Sequence, residues 1–467
     1  MTSSWELPDN PRRVARRPET PKAPKAKSER SSLLRGTLIA ILSLTLLGGA
    51  ATGAYAIYVH RRNTRYEKYC AALREARQWR QLHEVSQTWL KESPRNIRGI
   101  FFAAQSAEKL GEYETAVELL LSSPRNHPLA AIALAEAAEI QFSKLNQPVK
   151  AVENFEAALK IDPREIESRH RLIFFYAMTM QRKKMIEHIH EAIRLGVESR
   201  EHYVYLVGSE WLIFSNGPQY NYLWRTSDVE NEHFNVARAL GVVANGYVTP
   251  PSQALASGER APYLLTGDSG IDPNAPDDVK EREVHYDSVL RAYLEKYPNN
   301  IELLAFFLNR AVSGGDAKTA EYLLSRLPPE ALEDGRFWRY KGGWQLMVAK
   351  SKPQSDPKRA ELLLKALESF REARRRNPYD MTAMHQQASI LREMGEMREV
   401  EELEAIAAEG LEIRRLVLQS DSARIDPELF DRIRAYVALC GESEIADAMA
   451  QRLQVDRISS EQLLQSH

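Results

Sequence analysis

Three prolines set the frame of this chain: Pro94, Pro128 and Pro163 stand 34 and 35 residues apart, and Val197 occupies the place a further 34 on. Between them apolar residues recur at three- and four-residue spacing, the mark of amphipathic helices, with prolines held to the joins. A unit of this length has room for two helices and their turns. It cannot bury its apolar face alone, so the period predicts an all-α solenoid of stacked helix pairs.

Aligned on those positions, the residue types repeat as well. Ala104, Leu110-Gly111, Tyr113 and Ala116 place a small residue in the first helix, glycine at the turn, an aromatic after it and a small residue opening the second helix. Ala151, Phe155, Ala158-Leu159 and Pro163 give the second half of the next unit as FEAALKIDP. Small residues let antiparallel helices approach while neighbouring aromatics fill the gap left by the next pair. These segments resemble the tetratricopeptide repeat. A further unit, Ile166 to Val197, keeps Tyr176, Ala192 and Ile193 but carries Met180 and Met185 at the turn and second-helix positions. Tyr66 to Pro94, with Trp79, Leu82 and Trp89-Leu90, reads as a leading partial repeat.

A second block resumes after Pro298. Leu304, Leu308, Gly314-Gly315, Ala320 and Leu324 fit one unit, and Trp338, Tyr340 and Gly342 open another that completes after an inserted loop, Ser351 to Pro357. Ala366, Phe370, Ala373 and Pro378 close it as FREARRRNP; Met384, Ala388, Leu391, Gly395 and Val400 form the next. Between the blocks, Gly217-Pro218, Pro250-Pro251 and the run Gly267 to Pro273 break the pattern. Val229 to Val243 still reads as a helix, and a long excursion from Asn245 to Lys280 marks a subdomain boundary.

From Gly36 to Val59 no residue is charged. At about 1.5 Å of rise per residue this run is about 36 Å long, against a bilayer core of roughly 30 Å, so it predicts a single transmembrane helix. Ala54-Tyr55-Ala56 offers a signal-peptidase site as the competing reading, and Arg12-Arg13 and Arg16-Arg17 lie far from the apolar core for a twin-arginine signal. Basic residues flank the run on both sides. A cytoplasmic N-terminus with the repeats on the outer side is the expected single-pass placement, the repeats facing the cytoplasm the alternative. The expected organisation is a disordered basic tail (1–35), the transmembrane helix (36–59), a first array (60–215), an irregular helical pair and loop (216–297), a second array (298–455) and a tail (456–467).

Composition limits the chemistry. A formal net charge of −1 argues against nonspecific nucleic-acid binding, which needs surplus cations. Cys70 and Cys440 form no metal pattern and read as unpaired small hydrophobes. Asp268, Asp272 and Asn274 fail as a calcium loop because Pro273 replaces the required glycine and the twelfth-place glutamate is missing. His188 and His190, two apart on a helix, point about 200° apart and cannot share a metal, so both read as solvated. Tyr220, Tyr222 and Trp224 read as core of a distorted repeat. No nucleophile–base pair, HExxH or phosphate loop can be assembled, so the chain is read as non-enzymatic, with no cofactor, metal or small-molecule substrate expected.

What remains is binding. In the resembled family, first helices of successive repeats line a groove that takes extended peptides or partner helices. Mapped here, the groove positions are Arg98, Phe101, Gln105 and Lys109, then Ala133, Glu136 and Ile140, then Glu167, His170 and Phe174. Phe101 and Gln105 stand where a Lys and an Asn of the family's carboxylate clamp would be, which disfavours C-terminal tail binding and suits an apolar or helical ligand. The expected role is a membrane-anchored scaffold for other proteins; the alternative is a non-catalytic subunit supporting an envelope enzyme or assembly complex.

Overall fold

The computed structural model describes residues 28–207, 290–419 and 426–452, with 232, 233, 235, 236 and 240. Its described secondary structure is helical. Most of the expected 216–297 insert, with Tyr220, Tyr222, Trp224 and the Asp268 to Asn274 turn, lies outside the described residues, as do the leader before 28 and the expected tail from 456.

Two compact units are distinguished, 1–76 and 77–467. The first holds one helix, α1 (Ser28–Glu75). Among the described residues no helix is long and apolar enough to cross a membrane. That finding overturns the expected anchor over 36–59 and with it the single-pass placement. On α1 the side chains are described at Gly49 and from Thr52 onward. Within α1, Cys70 is fully buried, and Cys70 and Cys440 are both free thiols.

The second unit begins with α2 (Trp79–Glu92) and three helix pairs: α3 (Ile97–Leu110) with α4 (Tyr113–Leu121), α5 (Ala130–Ser143) with α6 (Pro148–Ile161), and α7 (Ile166–Met178) with α8 (Arg182–Leu195). Each helix packs on the next. Pro94, Pro128 and Pro163 each fall two or three residues before a first helix, and Val197 stands in the same place before α9 (Arg200–Val207). The period is therefore the period of the helix pairs. Gly111 ends α3 at φ 85°, a left-handed turn that favours glycine because it has no Cβ to clash. Asn96 caps the start of α3 by accepting from the Gly99 amide at 3.0 Å. Ala104, Ala116, Ala151 and Ala158 are buried at the helix contacts, beside a buried Phe155.

After 290–296 the second block runs α10 (Ile301–Ser313), α11 (Ala317–Ser325), a 3-10 turn (Pro329–Glu333), α12 (Gly335–Lys350), α13 (Pro357–Arg376), α14 (Met381–Met394), α15 (Met397–Gln419) and α16 (Pro427–Leu439). Ser351 to Asp356 is the inserted turn between α12 and α13. Gly342 meets the Phe370 ring so closely that an added Cβ would sit 3.0 Å from it, which is how α12 and α13 achieve their tight packing. The two blocks also touch. Helix α9 packs on α15, where Arg414 Nε donates to the Val207 carbonyl at 2.8 Å, and Tyr203 meets Phe430 edge to face. One continuous core of buried residues runs from Ala138 on α5 to Met449.

Candidate functional site

The expected groove positions divide between surface and core. On α3, Arg98 and Lys109 are exposed and Phe101 and Gln105 half-buried; Phe101 packs against a small core that α3, α4 and α5 share. On α5, Glu136 is exposed, but Ala133 is fully buried and Ile140 is 7% exposed, both inside that same core. The outward positions of α5 are instead Ile132, Glu136 and Glu139, so of the three expected positions there Glu136 is exposed and Ala133 and Ile140 face the core. On α7, Glu167 is exposed. His170 and Phe174 are half-buried, with His170 Nε2 2.7 Å from the Val197 carbonyl oxygen and Phe174 edge-on to Phe142.

Helices α5 and α7 nonetheless touch through their side chains. Arg171 on α7 pairs with Glu139 on α5 through two contacts of 2.8 Å. Between α5 and α3, desolvation by the surrounding helix walls and then the charge of Glu108 push the Glu136 carboxyl up to about 7.

Sequence reasoning missed a second place. A cleft of about 470 Å³ opens where the N-termini of α8, α10 and α12 converge with the α13–α14 turn. Arg336, at the start of α12, places Nη1 2.8 Å from Glu302 Oε2 and Nη2 2.6 Å from Glu302 Oε1, while its Nε and Nη2 also bond Asp334. Arg182 on α8 adds a 3.5 Å contact to the same Glu302. Burial opposes the charge on Asp334, but the Arg336 and Arg182 guanidiniums outweigh it and hold the carboxyl below its ordinary value. Arg182 fares worse: burial first, then Arg336, lower its pKa.

Across the cleft, Tyr379 donates to Glu442, whose Oε2 lies 3.4 Å from His190 Nε2. Burial opposes ionisation of Glu442, and His190 and Tyr379 together more than offset it. His188, expected in solvent, stacks on Tyr176 with ring centroids 5.5 Å apart; burial, then Arg169, push its pKa down to about 4. Among the described residues no group of three or more His, Cys, Asp or Glu could hold a metal ion. In the structure Asn300 accepts from the Glu302 and Leu303 amides and Asp334 from the Arg336 amide, capping the starts of α10 and α12, a local feature that does not encode their meeting α8.

No family model matches this chain. No curated protein matches it. Among solved structures it is similar to the APC/C hetero-tetramer Cut9-Hcn1 at 16% identity and TM-score 0.29, over 83% of this chain and 79% of that one. A monomeric IFIT1 mutant with Gppp-AAAA is 13% identical at TM-score 0.29, over 83% of this chain and 89% of that one. Naa15/Naa10 bound to HypK-THB is 13% identical at TM-score 0.26, over 83% and 68%. Likenesses this slight carry no argument about the function of this chain.

Proposed function

We propose that this chain is a non-catalytic helical-repeat scaffold that holds other proteins on the face made by α3, α5 and α7. The supporting observation is that Gln105, Ile132, Glu136 and Phe174 lie on three successive first helices, of which α5 and α7 touch through the Arg171–Glu139 pair and the Phe142–Phe174 contact while α3 and α5 share one core. The face combines an exposed apolar side chain, Ile132 at 43% exposure, with half-buried aromatics and the Glu136 carboxyl. A mixed surface of this kind suits a partner segment with apolar anchors and a polar rim.

A photo-cross-linking residue placed at Gln105 or Ile132 tests the reading in cells that express the full chain. Discrete cross-linked partners should form at both positions and be absent at Leu364, an exposed apolar position on α13. Equal yields at all three positions, or none at the first two, would sink it.

A further inference from the structure

The cleft between α8, α10, α12 and the α13–α14 turn has a size within the roughly 300–1,000 Å³ of small-molecule sites. Most of its charged residues are already paired with one another. Arg336 and Arg182 face Glu302 and Asp334; Glu442 is held by Tyr379 and His190. The basic groups at the rim are taken as well: Lys183 by Glu333, Lys184 over the Tyr176 ring, and Arg376 by Glu372 and the Trp338 ring. An ionic ligand would have to break one of these pairs and strand its partner in a poorly hydrated place, which is costly. The remaining wall is apolar, contributed by Met180, Ile186, Ile301 and Pro378.

The geometry points to this cleft as a binding site for a small uncharged apolar molecule, separate from the α3–α5–α7 face and independent of what that face holds. Such a ligand covers the apolar wall and leaves these ion pairs intact, so its affinity comes from area removed from water.

The neutral fluorescent amine N-phenyl-1-naphthylamine serves as the probe, titrated into the full-length chain. Saturable uptake of one molecule per chain is expected, with an affinity that changes less than about twofold between roughly 0.1 and 1 M salt because no charge is paired. Ile186→Glu should weaken it by at least about tenfold by placing a charge in the wall. Pro378→Trp, a filling change at a half-exposed turn position, should do the same and keeps the test decisive should Ile186→Glu fail to fold. Leu364→Glu, outside the cleft, should leave uptake unchanged. Absence of saturable uptake, wild-type uptake by a folded cleft variant, or loss of uptake in Leu364→Glu would each overturn the assignment.

Discussion

Arg336 grips Glu302 with both terminal nitrogens, at 2.8 and 2.6 Å, and in doing so ties the start of α12 to the start of α10. Arg336 is buried, and the Glu302 side chain is 13% exposed. Taking either partner away leaves a charge without its counterpart in a place water barely reaches. Glu302→Gln or Arg336→Met should therefore destabilise the fold by about 3–5 kcal/mol. Lys183→Ala removes an exposed pair with Glu333 and should cost no more than about 1 kcal/mol. Denaturant melts of the three variants make the comparison; similar losses would mean that the Arg336 cluster is hydrated like a surface pair.

The packing of the repeats is testable at adjacent residues. Ala151 is fully buried on α6 and Lys150 beside it is exposed. Ala151→Trp overpacks a fully buried helix contact and should cost at least about 1–3 kcal/mol, whereas Lys150→Trp should shift the melting temperature little.

Acid should loosen the α7–α9 region. His202 is 4% exposed, and burial, then the nearby His170, depress its pKa to about 3; His188 falls to about 4. Both folded values lie below the ordinary 6.5, so the unfolded chain takes up protons first as pH falls. Stability from these groups is full above pH 6.5 and is lost below it, by roughly 2 kcal/mol for each histidine on reaching pH 5. Glu136, with its raised pKa, acts in the opposite sense over the same range. A His188→Gln, His202→Asn double variant should flatten the fall of stability between pH 6.5 and 5, as read by melts across pH; an unchanged slope would rule these residues out as its source.

How far the sequence could be read follows from the range of the interactions. The proline period, the small residues at Ala104, Ala116 and Ala151 and the turn glycines act within one helix pair, so periodicity alone located the helices of both blocks. The face of α5 was harder. Its sequence, AAIALAEAAEIQFS, is apolar nearly all round, so a shift of one residue hardly changes the pattern and Ile132 could not be told from Ala133. The cleft depends on Arg182 meeting Glu302, 120 residues away, and no local pattern encodes that meeting. His188 was misread because the spacing of two histidines says where they point around α8 but not that Tyr176 waits on one side. The expected anchor rested on length and lack of charge over 36–59, and among the described residues no helix meets both conditions.

The orientation of α5 gives the sharpest test of the binding face, because outward and inward residues alternate within two turns. Ile132 and Glu136 point out, while Ala133 and Ile140 are buried against Ala104, Ala107, Val117 and Leu120. Ile140→Asp places an unpaired carboxylate in that core and should cost several kcal/mol, enough to unfold the first array. Ile132→Asp and Glu136→Lys should keep the melting temperature within a few degrees, since surface changes mostly stay within about 0.5 kcal/mol. If the α3–α5–α7 face holds partners, the same two surface changes should abolish the cross-links formed from Gln105, as a charge now sits where an apolar anchor was met and the sign of the charge at 136 is reversed. Retention of those cross-links in a folded Ile132→Asp, Glu136→Lys chain would move the binding surface off α5 and leave Gln105 touching its partner from the α3 side alone.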